Sequence, residues 1–319
     1  MGTGWISSTV ATDFRVADLH ISAVGSSDAA KARAFAGEFG IPKALGSYDE
    51  LAADPDVDIV YVTLLNQAHF DGAMLAIEHG KHVLVEKPFM MTAAQAAGVT
   101  AMAKARGVFA MEAMWSRFTP SQRALKQALL DGIIGTPHTI SAQYGEDLTN
   151  KPRVWSPEKG GGALMDLGVY PLAFILNMFG PAESVRATAV LTEQHIDRSI
   201  AVNTTHAAGR LGSFVSTIAA SSRPCATILG TEGRIEVSDK LWGQAPWQAL
   251  STTGELLRDY SDTVPGSGRQ YQAIEVERCI RAGLLESPLM PLDESVRIMS
   301  HIEDIRIQTG IQIEGNPVS

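Results

Sequence analysis

Asp166 and Tyr170 carry a carboxyl group and a phenol at a spacing that suits acid–base chemistry. They lie four residues apart in a segment, 163–178, whose apolar pattern predicts a helix, so their side chains share one face. The glycines at 160–162 precede this helix and leave room for another group to come close. A phenol there can exchange a proton with a hydroxyl or a carbonyl, but its ordinary pKa of about 10 is too high for an efficient base. A neighbouring cation would lower that pKa; the alternative is a core aromatic beside a solvated aspartate.

Lys87 is the candidate for that cation. The apolar run at 82–85 is typical of a buried strand, and Glu86, Lys87 and Pro88 follow it directly. Because Pro88 has no N–H group, the strand must end beside it. Ligands bind at the carboxyl ends of the strands in an open parallel sheet. We therefore expect Lys87 to face a ligand, the alternative being a surface ion pair beside a turn.

The first seven residues, Met-Gly-Thr-Gly-Trp-Ile-Ser, contain a Gly-x-Gly pattern. Such a pattern at the start of a helix lets main-chain N–H groups approach a pyrophosphate. We expect it to bind a dinucleotide through Gly2, Gly4, Trp5 and Ile6, against a flexible glycine-rich terminus as the alternative. A glycine turn of this kind normally follows a strand, and none precedes it here. We therefore expect the first strand of the sheet to be missing, through a misassigned start or a shortened polypeptide.

The end of the next strand bears on which dinucleotide is bound. The run at 20–25 is followed by Ser26 and Ser27, and Lys31 lies in the next helix. A carboxylate at this place selects a free ribose 2′-hydroxyl, whereas hydroxyl and basic groups can hold a 2′-phosphate. Asp28 is a carboxylate, but its position suits a helix cap. We therefore expect NADP rather than NAD, with ordinary surface residues as the alternative.

Hydrophobic periodicity predicts an α/β protein of two domains. Strand-like runs that alternate with helical patterns lie at 20–25, 59–63, 82–85 and 108–114. Ser47 and Glu50 have the spacing of a capping box for a short helix, and Thr92 is placed to cap a later helix. The alternation predicts a Rossmann-type, doubly wound parallel sheet. We assign residues 1–118 to a dinucleotide-binding domain.

The alternation stops after residue 118. Strand-like runs without intervening helices lie near 136–144, 183–191, 198–206, 211–220 and 225–230. The turn residues at 230–233 then predict a hairpin into a further strand at 234–237. Together these runs predict a mostly antiparallel sheet in an α+β domain. We assign residues 119–319 to substrate binding and dimerisation, with a last helix at 293–309 that packs back on the first domain.

The composition is that of an ordinary globular protein, with 45% hydrophobic and 19% charged residues among 319. The net charge of −9 argues against a nucleic-acid partner. Two cysteines, Cys225 and Cys279, and eight scattered histidines give neither a disulfide framework nor metal-ligand spacing. The sequence has no apolar run of about 18 residues and no signal-peptide pattern. We therefore expect a cytoplasmic protein with no membrane partner and no metal.

These motifs together resemble the glucose-fructose oxidoreductase / inositol dehydrogenase / MocA (GFO/IDH/MocA) superfamily, over essentially the whole chain. The resemblance rests on the Gly-x-Gly, on Glu-Lys-Pro at 86–88, on Asp-Leu-Gly-Val-Tyr at 166–170 and on Gly-Thr-Glu-Gly at 230–233. Many members carry His where this chain has Tyr170. Tyr170 and the segment 111–118 look more like the branch of trans-1,2-dihydrobenzene-1,2-diol dehydrogenase and NADP-dependent D-xylose dehydrogenase.

The resemblance implies reversible oxidation of a secondary alcohol on a sugar, a polyol or a cyclic diol by NADP or NAD. Lys87 would lie near the nicotinamide and the substrate hydroxyl, Tyr170 would accept the proton, and Asp166 would lie beside it. These three residues would also bind substrate, and we expect Trp155 to join them, with Tyr144 and His206 as further candidates. By the same analogy, the protein would be a homodimer.

Further nucleotide contacts follow from the resemblance. Relatives often have Thr-Pro-Asn and then His after the third strand, where this chain has Thr-Leu-Leu-Asn-Gln-Ala-His at 63–69, without the proline. The residues expected to contact the nucleotide in this part of the chain are Thr63, Asn66, His69, Glu86, Trp115 and Arg117. His69 has the alternative role of a helix-start residue with no ligand.

Two other functions are compatible with these motifs. One is a non-catalytic sensor that keeps the nucleotide site, although such a protein would not need both Lys87 and Tyr170. The other is an inactive member with a shortened N-terminus, which would bind no nicotinamide nucleotide.

Overall fold

The computed structural model describes residues 1–261 and 263–312. Contacts divide the chain into two compact units. Unit 1 comprises Met1–Trp115 and Pro265–Met299, and unit 2 comprises Ser116–Val264 and the chain from Ser300 onward. The segment Pro265–Met299, which the sequence analysis assigned to the second domain, therefore belongs to unit 1.

Unit 1 is built on two small parallel sheets. β1 (Ala23–Gly25) pairs with β2 (Lys43–Leu45), and β3 (Ile59–Val62), β4 (His82–Glu86) and β5 (Ala110–Ala113) form the second sheet in this order. The helices between the strands are α1 (Trp5–Val16), α2 (Ala29–Phe39), α3 (Tyr48–Ala53), α4 (His69–Glu78) and α5 (Ala93–Arg106). The predicted alternation and parallel pairing are confirmed. The sequence analysis did not predict β2, because its three half-buried residues form no apolar run.

The sheet of unit 1 is interrupted between β1 and β3, and within the described residues no strand precedes α1. The first two residues of the chain lie in this gap. The Met1 α-amino group donates to Tyr61 O at 2.8 Å, and Thr63 N–H donates to Met1 O at 3.0 Å. On the other side, Gly2 N–H donates to Gly25 O at 2.9 Å.

Side-chain caps fix the starts of α3 and α5. Ser47 Oγ accepts the N–H of Glu50 at 3.0 Å, and the Glu50 carboxylate accepts the N–H of Gly46 at 2.9 Å. The predicted capping box is therefore present, with its return bond made one residue earlier than in the usual motif. Thr92 caps α5 as predicted, through the N–H of Gln95 at 3.1 Å.

Unit 2 contains one eight-stranded sheet. Its strands are β6 (Pro137–Gly145), β7 (Ala182–Leu191), β8 (Asp197–His206), β9 (Arg210–Thr217), β10 (Cys225–Gly230), β11 (Gly233–Val237), β12 (Trp247–Ser251) and β13 (Leu256–Tyr260). The order across the sheet is β13-β12-β11-β10-β6-β9-β8-β7, and only β6 and β9 are parallel. The predicted mostly antiparallel sheet is confirmed. The last two strands were not predicted, and β13 is mostly exposed and lacks the alternation of a half-buried strand.

The remaining helices are α6 (Pro120–Leu130), a π-helical turn (Leu164–Gly168) that runs into α7 (Val169–Phe179), α8 (Gln270–Arg281) and α9 (Leu292–Thr309). The stretch Pro157–Phe179 has the length and composition of a membrane-crossing helix, but 94% of its apolar window is buried inside the protein. α7 packs against β6 and β9, so its apolar surface is that of a core helix.

Candidate active site

The glycine segment is fixed against the carboxyl end of β3. The Thr63 hydroxyl donates to Met1 O at 2.8 Å and lies 2.8 Å from the Ser7 hydroxyl, which is therefore the donor of that second bond. Gly2 has φ +107°, and a Cβ there would lie 3.1 Å from Thr63 O. The backbone conformation and the close approach together require glycine at this position. Through these hydrogen bonds, Thr63 holds the glycine turn at the carboxyl end of β3.

The N-terminus of α1 is suited to an anion. Gly4 is its N-cap, no side chain caps the helix, and a Cβ at Gly4 would meet nothing within 4 Å. The N–H groups of the first turn, which begins at Trp5 and Ile6, lack intrahelical acceptors and form the positive end of the helix dipole. The Trp5 side chain is 75% exposed. A pyrophosphate fits this place on chemical grounds, as the Gly-x-Gly pattern predicts.

The end of β1 has the predicted polar residues. Asp28 caps α2, because its Oδ1 accepts the N–H groups of Ala30 at 2.8 Å and Lys31 at 3.2 Å. The bond from Lys31 N–H is the main cause of its lowered pKa. Ser26 is buried and accepts the N–H of Asp28 at 3.3 Å, whereas Ser27 and Lys31 are exposed. The predicted capping role of Asp28 is confirmed.

Glu86 ends β4, and Lys87 follows it at a cis peptide bond to Pro88. The Glu86 side chain is buried and accepts the hydroxyl hydrogen bond of Tyr61, whose oxygen also accepts from Gln272 Nε2 at 2.8 Å. Burial raises the pKa of Glu86, and burial followed by the Glu86 charge raises the pKa of Tyr61 well above its ordinary value. Lys87 is half-buried, and its N–H donates to Glu86 Oε2 at 3.2 Å. Through these hydrogen bonds, Glu86 fixes the carboxyl end of β4 to Tyr61 in the interior of unit 1.

His69 is completely buried between two loops. Its Nδ1 lies 3.0 Å from Pro88 O and its Nε2 3.2 Å from Leu64 O. Burial lowers the pKa of His69, which favours the neutral ring. A neutral ring has one N–H donor, so it donates to one carbonyl at a time. The geometry supports a role in joining the turn after β4 to the loop after β3, while Asn66 on that loop is only half-buried.

Trp115 lies against a buried cluster that the sequence analysis missed. The Arg269 guanidinium stacks over the Trp115 ring at 4.3 Å from its centroid. The Asp13 carboxylate accepts the N–H groups of Arg269 at 3.1 Å and Ser267 at 2.8 Å. The partners are separated by more than 250 residues, so no local sequence signal could reveal them.

In unit 2, Asp166 and Tyr170 are both buried, and Asp166 is ion-paired. Arg153 Nη1 donates to Asp166 Oδ1 at 2.8 Å. The sequence analysis predicted one helix over 163–178, but Asp166 lies in a π-helical turn and Tyr170 in the first turn of α7. Such turns have i→i+5 bonds and often occur at functional sites. Arg153 was missed because nothing in its local pattern marks it as a partner of Asp166.

The start of the π-helical turn is held by Asp197. Its Oδ2 accepts the N–H of Leu164 at 2.6 Å, and burial raises the pKa of Asp197 to about 7. Gly162 has φ +104°, and a Cβ there would lie 2.1 Å from Asp197 Oδ1. The sequence analysis attributed these glycines to the close approach of a cofactor or of another part of the backbone. At Gly162, the contact with Asp197 already requires glycine.

Tyr170 belongs to an aromatic group in unit 2. Its ring centroid lies 5.9 Å from that of Tyr144, which in turn stacks at 6.0 Å on Trp242. Burial raises the pKa of Tyr144 strongly, so it stays protonated, and its hydroxyl donates to Glu146 at 3.2 Å. We call Tyr144, Tyr170 and Trp242 the aromatic wall.

Three other candidates are bonded to the main chain. Arg117 is buried and donates to Ala173 O at 3.2 Å, which attaches it to α7. Trp155 Nε1 donates to Leu148 O at 2.8 Å. His206 is buried, and its Nδ1 lies 3.0 Å from Gly180 O and 3.2 Å from Pro181 O, in the connection from α7 to β7. These contacts favour indirect roles for Arg117 and His206, whereas Trp155 is half-buried.

Comparison with known protein families settles the relationship. The family described as "Oxidoreductase family, NAD-binding Rossmann fold" matches residues 1–114, and the "GFO/IDH/MocA C-terminal domain" matches residues 122–236. The chain belongs to the GFO/IDH/MocA family of oxidoreductases. The family resemblance, the fold class and the prediction of an oxidoreductase are confirmed.

Relatives of named function cover nearly the whole chain. The trans-1,2-dihydrobenzene-1,2-diol dehydrogenase of Mus musculus is 36% identical over 95% of this chain and 92% of its own length. The protein of the same name from Xenopus tropicalis is 35% identical over 98% of this chain and 99% of its own length.

Solved structures share the fold at lower identity. Aldose-aldose oxidoreductase from Caulobacter crescentus has a TM-score of 0.87 at 23% identity, covering 97% of this chain and 96% of that one. A levoglucosan dehydrogenase complex with NADH and levoglucosan has a TM-score of 0.83 at 18% identity, covering 97% and 95%. A 3-ketoreductase from Actinomadura kijaniata, in complex with TDP-benzene and NADP, has a TM-score of 0.75 at 22% identity, covering 92% and 90%.

Proposed function

We propose that the protein is an NAD(P)-dependent dehydrogenase that oxidises a secondary alcohol of a cyclic diol, a sugar or a polyol. The observation that carries the proposal is the placement of Tyr170 and Asp166 where the π-helical turn meets α7, with Asp166 ion-paired to Arg153. Membership of an oxidoreductase family and the names of the relatives support it.

Tyr170 is the proposed acid/base. Its phenolate oxygen takes the proton of a substrate hydroxyl while hydride leaves the carbon that bears this hydroxyl. Bound NAD(P)+ supplies the hydride acceptor. Lys87 is the cation proposed to assist this proton transfer. The Asp166 carboxylate, held by Arg153, accepts a hydrogen bond from a second substrate hydroxyl.

NADP is the proposed nucleotide. The N-terminus of α1 and the glycine turn hold its pyrophosphate, while Ser26, Ser27 and Lys31 bind the 2′-phosphate. The capping role of Asp28 supports this preference, because its carboxylate is engaged by α2. Asn66 remains a proposed direct contact. The other candidates of unit 1 act indirectly by holding the loops around the nucleotide: Thr63, His69, Glu86 and Trp115. Arg117 has an indirect role in unit 2, where it is bonded to α7.

The aromatic wall supports a cyclic substrate. Aromatic faces pack well against flat or ring-shaped apolar groups, whereas open-chain polyols need more polar partners. Tyr144 and Trp242 offer such faces beside Tyr170. We therefore place ring-shaped substrates ahead of open-chain polyols, and cyclic diols, whose ring is the most apolar, ahead of aldoses and inositols, with Trp155 at the edge of the pocket.

We also propose a cytoplasmic homodimer. Four exposed apolar side chains lie on one face of the large sheet, on β7, β9 and β10, which are separated from one another by β8 and β6: Val190, Leu211, Val215 and Leu229. An apolar face of this kind is typical of a protein–protein contact. The two cysteines are both free, which suits a reducing compartment.

The decisive experiment is an activity panel of dihydrodiols, aldoses and inositols with NADP and NAD, run on the wild type and on Tyr170→Phe. We expect turnover with a cyclic diol and NADP, and a loss of about 10²–10⁴-fold in kcat for the variant at nearly unchanged NADPH affinity, measured by fluorescence titration. Tyr48→Phe, on α3, is the matched control and keeps full activity. Wild-type turnover in Tyr170→Phe would exclude Tyr170 as the acid/base. Nucleotide binding without any turnover in the wild type would favour the non-catalytic sensor.

A further inference from the structure

Glu112 is a buried acid that the proposed function does not use. It is the third residue of β5, a strand whose four residues are all buried, and its own side chain is completely buried. Its Oε1 accepts the main-chain N–H of Phe89 at 3.2 Å. A buried carboxyl group lowers the free energy of unfolding unless hydrogen bonds compensate for its lost hydration, and an apolar residue would suit this strand better. The position of Glu112 therefore needs an explanation beyond packing.

The hydrogen bond joins β5 to the turn that carries Lys87. Glu112 pairs with Val85 in the register of β5 and β4, so its side chain starts beside the last residues of β4. Phe89 follows Lys87 by two residues. Because Pro88 has no N–H group, the N–H of Phe89 is the first main-chain donor after Lys87. Glu112 thus binds the main chain directly beyond the lysine.

The main chain of this turn is also held at two other points. The N–H of Lys87 donates to Glu86, and Pro88 O lies 3.0 Å from Nδ1 of His69. Glu86 belongs to β4 itself, His69 begins α4, and Glu112 comes from β5. Buried side chains from three elements therefore hold the turn at three consecutive residues. They restrict the main chain on both sides of the lysine, whose own side chain is half-buried.

We propose that Glu112 is a positioning residue for Lys87. By holding the N–H of Phe89, it fixes the main chain from which the lysine side chain extends, and with it the place of the ammonium group. This role rests on the proposed function, in which Lys87 assists proton transfer. The lysine side chain is long and flexible, so its ammonium group can be placed reproducibly only from a fixed main chain. A displacement of about 1 Å at a reacting group can lower turnover by about 10²-fold.

Two substitutions of nearly equal length separate positioning from packing. Glu112→Met keeps the size of the side chain but offers no oxygen to Phe89, so kcat with the best diol of the panel should fall about 10- to 100-fold. Glu112→Gln keeps an acceptor oxygen and should retain at least about half of the wild-type kcat. The Met variant loses one hydrogen bond but also the cost of a buried carboxyl group, so we expect it to fold. Glu112→Ala is a second variant without an acceptor.

A double-mutant cycle with Lys87→Ala tests whether Glu112 acts through the lysine. In the Lys87→Ala background, Glu112→Met should lower kcat by less than about twofold, because the group that it positions is absent. A general distortion of the site would lower kcat by the same factor in both backgrounds. Equal factors would therefore overturn the proposal.

Glu275→Gln is the matched control. Glu275 is another buried acid of unit 1, and it accepts hydrogen bonds from Arg278 and Ser287. Its replacement should lower Tm but leave kcat within about twofold of the wild-type value, because a lost hydrogen bond outside the turn affects stability only. A loss of kcat in Glu275→Gln as large as that in Glu112→Met would overturn the special role of Glu112.

Hydrogen exchange keeps this proposal separate from the proposed function. The amide of Phe89 should exchange roughly tenfold faster in Glu112→Met than in Glu112→Gln, whether or not any alcohol is oxidised. If exchange responds but the wild type oxidises no alcohol, the hold of Glu112 on the turn stands and the proposed function fails. If the wild type is active and Glu112→Met keeps its kcat, the positioning role is overturned and the proposed function stands. Failure of both Glu112→Met and Glu112→Ala to fold would overturn the role as well, because stability alone would then account for the acid.

Discussion

Arg153 is the residue through which Asp166 is positioned. Its side chain is 46% exposed, whereas that of Asp166 is 10% exposed, so the pair forms at the edge of the buried turn. The guanidinium fixes the carboxylate by a charge-assisted hydrogen bond and places it for a substrate hydroxyl. A role of this kind should affect substrate binding more than the proton transfer itself.

Replacing Arg153 by Gln should raise KM about 10- to 100-fold with a smaller change in kcat, since a charge-assisted bond contributes roughly 1.5–3 kcal/mol. Arg153→Lys should recover part of the loss. Steady-state kinetics with the best diol of the panel measures both effects. Arg234→Gln, which breaks an exposed ion pair to Glu236 in the same unit, is the control and should leave KM unchanged. Equal losses in the two variants would show that Arg153 has no special role.

Asp197 should make stability pH-dependent. Burial raises its folded-state pKa to about 7 from an ordinary value near 4, so between these values the folded chain holds a proton that the unfolded chain releases. The contribution of Asp197 to the free energy of unfolding therefore falls by up to roughly 4 kcal/mol as pH rises from about 4 to about 7, and it is constant at higher pH. Asp197→Asn removes this titration and keeps an acceptor for Leu164 N–H.

The measurement for Asp197 is urea unfolding of the wild type and of Asp197→Asn at a series of pH values. The difference between the two free energies of unfolding should change over the pH range 4 to 7 and level off above it. Taking the difference cancels the other titrating groups. A difference that is flat from pH 4 to pH 8 would contradict the raised pKa.

At the element scale, the π-helical turn is the feature that apolar periodicity could not predict. Helix propensity and spacing are nearly the same for α- and π-helical turns, so the sequence indicated one continuous helix over 163–178. What fixes the turn is contact with Asp197, thirty-three residues away from Leu164. Local signals did reveal the Asp28 cap, the Ser47 capping box and the end of β4, because each depends on neighbours in sequence.

Gly162→Ala tests how firmly this turn is held. The new Cβ would clash with Asp197 Oδ1 and strain a positive φ, so we expect a loss of about 3 kcal/mol or more in the free energy of unfolding. Gly209→Ala is the control. It also has positive φ, but no atom lies within 4 Å of the new Cβ, so it should lose only about 1–2 kcal/mol. Similar losses in denaturant unfolding would show that backbone strain alone accounts for the glycine.

At the scale of the whole molecule, alternation of strands and helices was enough to predict the two kinds of sheet. The sequence could not show that Pro265–Met299 belongs to unit 1, because that depends on contacts such as those of Asp13 with Ser267 and Arg269. It also could not show which polar residues serve the fold. Glu86 and His69 occupy motif positions where nucleotide contacts were expected. Their side chains instead form hydrogen bonds with Tyr61 and with Pro88 O.

The exposed face of the large sheet gives a prediction about assembly. Val215 is 53% exposed in β9, in the middle of the apolar face. A charge there would be desolvated in a dimer, so Val215→Glu should convert the dimer to a monomer in sedimentation velocity. Leu285→Glu, at a 42% exposed leucine of unit 1, is the control and should leave the dimer intact. A wild type that sediments as a monomer would exclude the proposed dimer.

The buried amino group of Met1 has a practical consequence for anyone who produces this protein. A purification tag fused directly to Met1 would convert the α-amino group that donates to Tyr61 O into a peptide N–H, and the last residues of the tag would start from a buried place rather than from the surface. Placing the tag at the carboxyl terminus leaves the hydrogen bonds of Met1 to Tyr61 and Thr63 undisturbed.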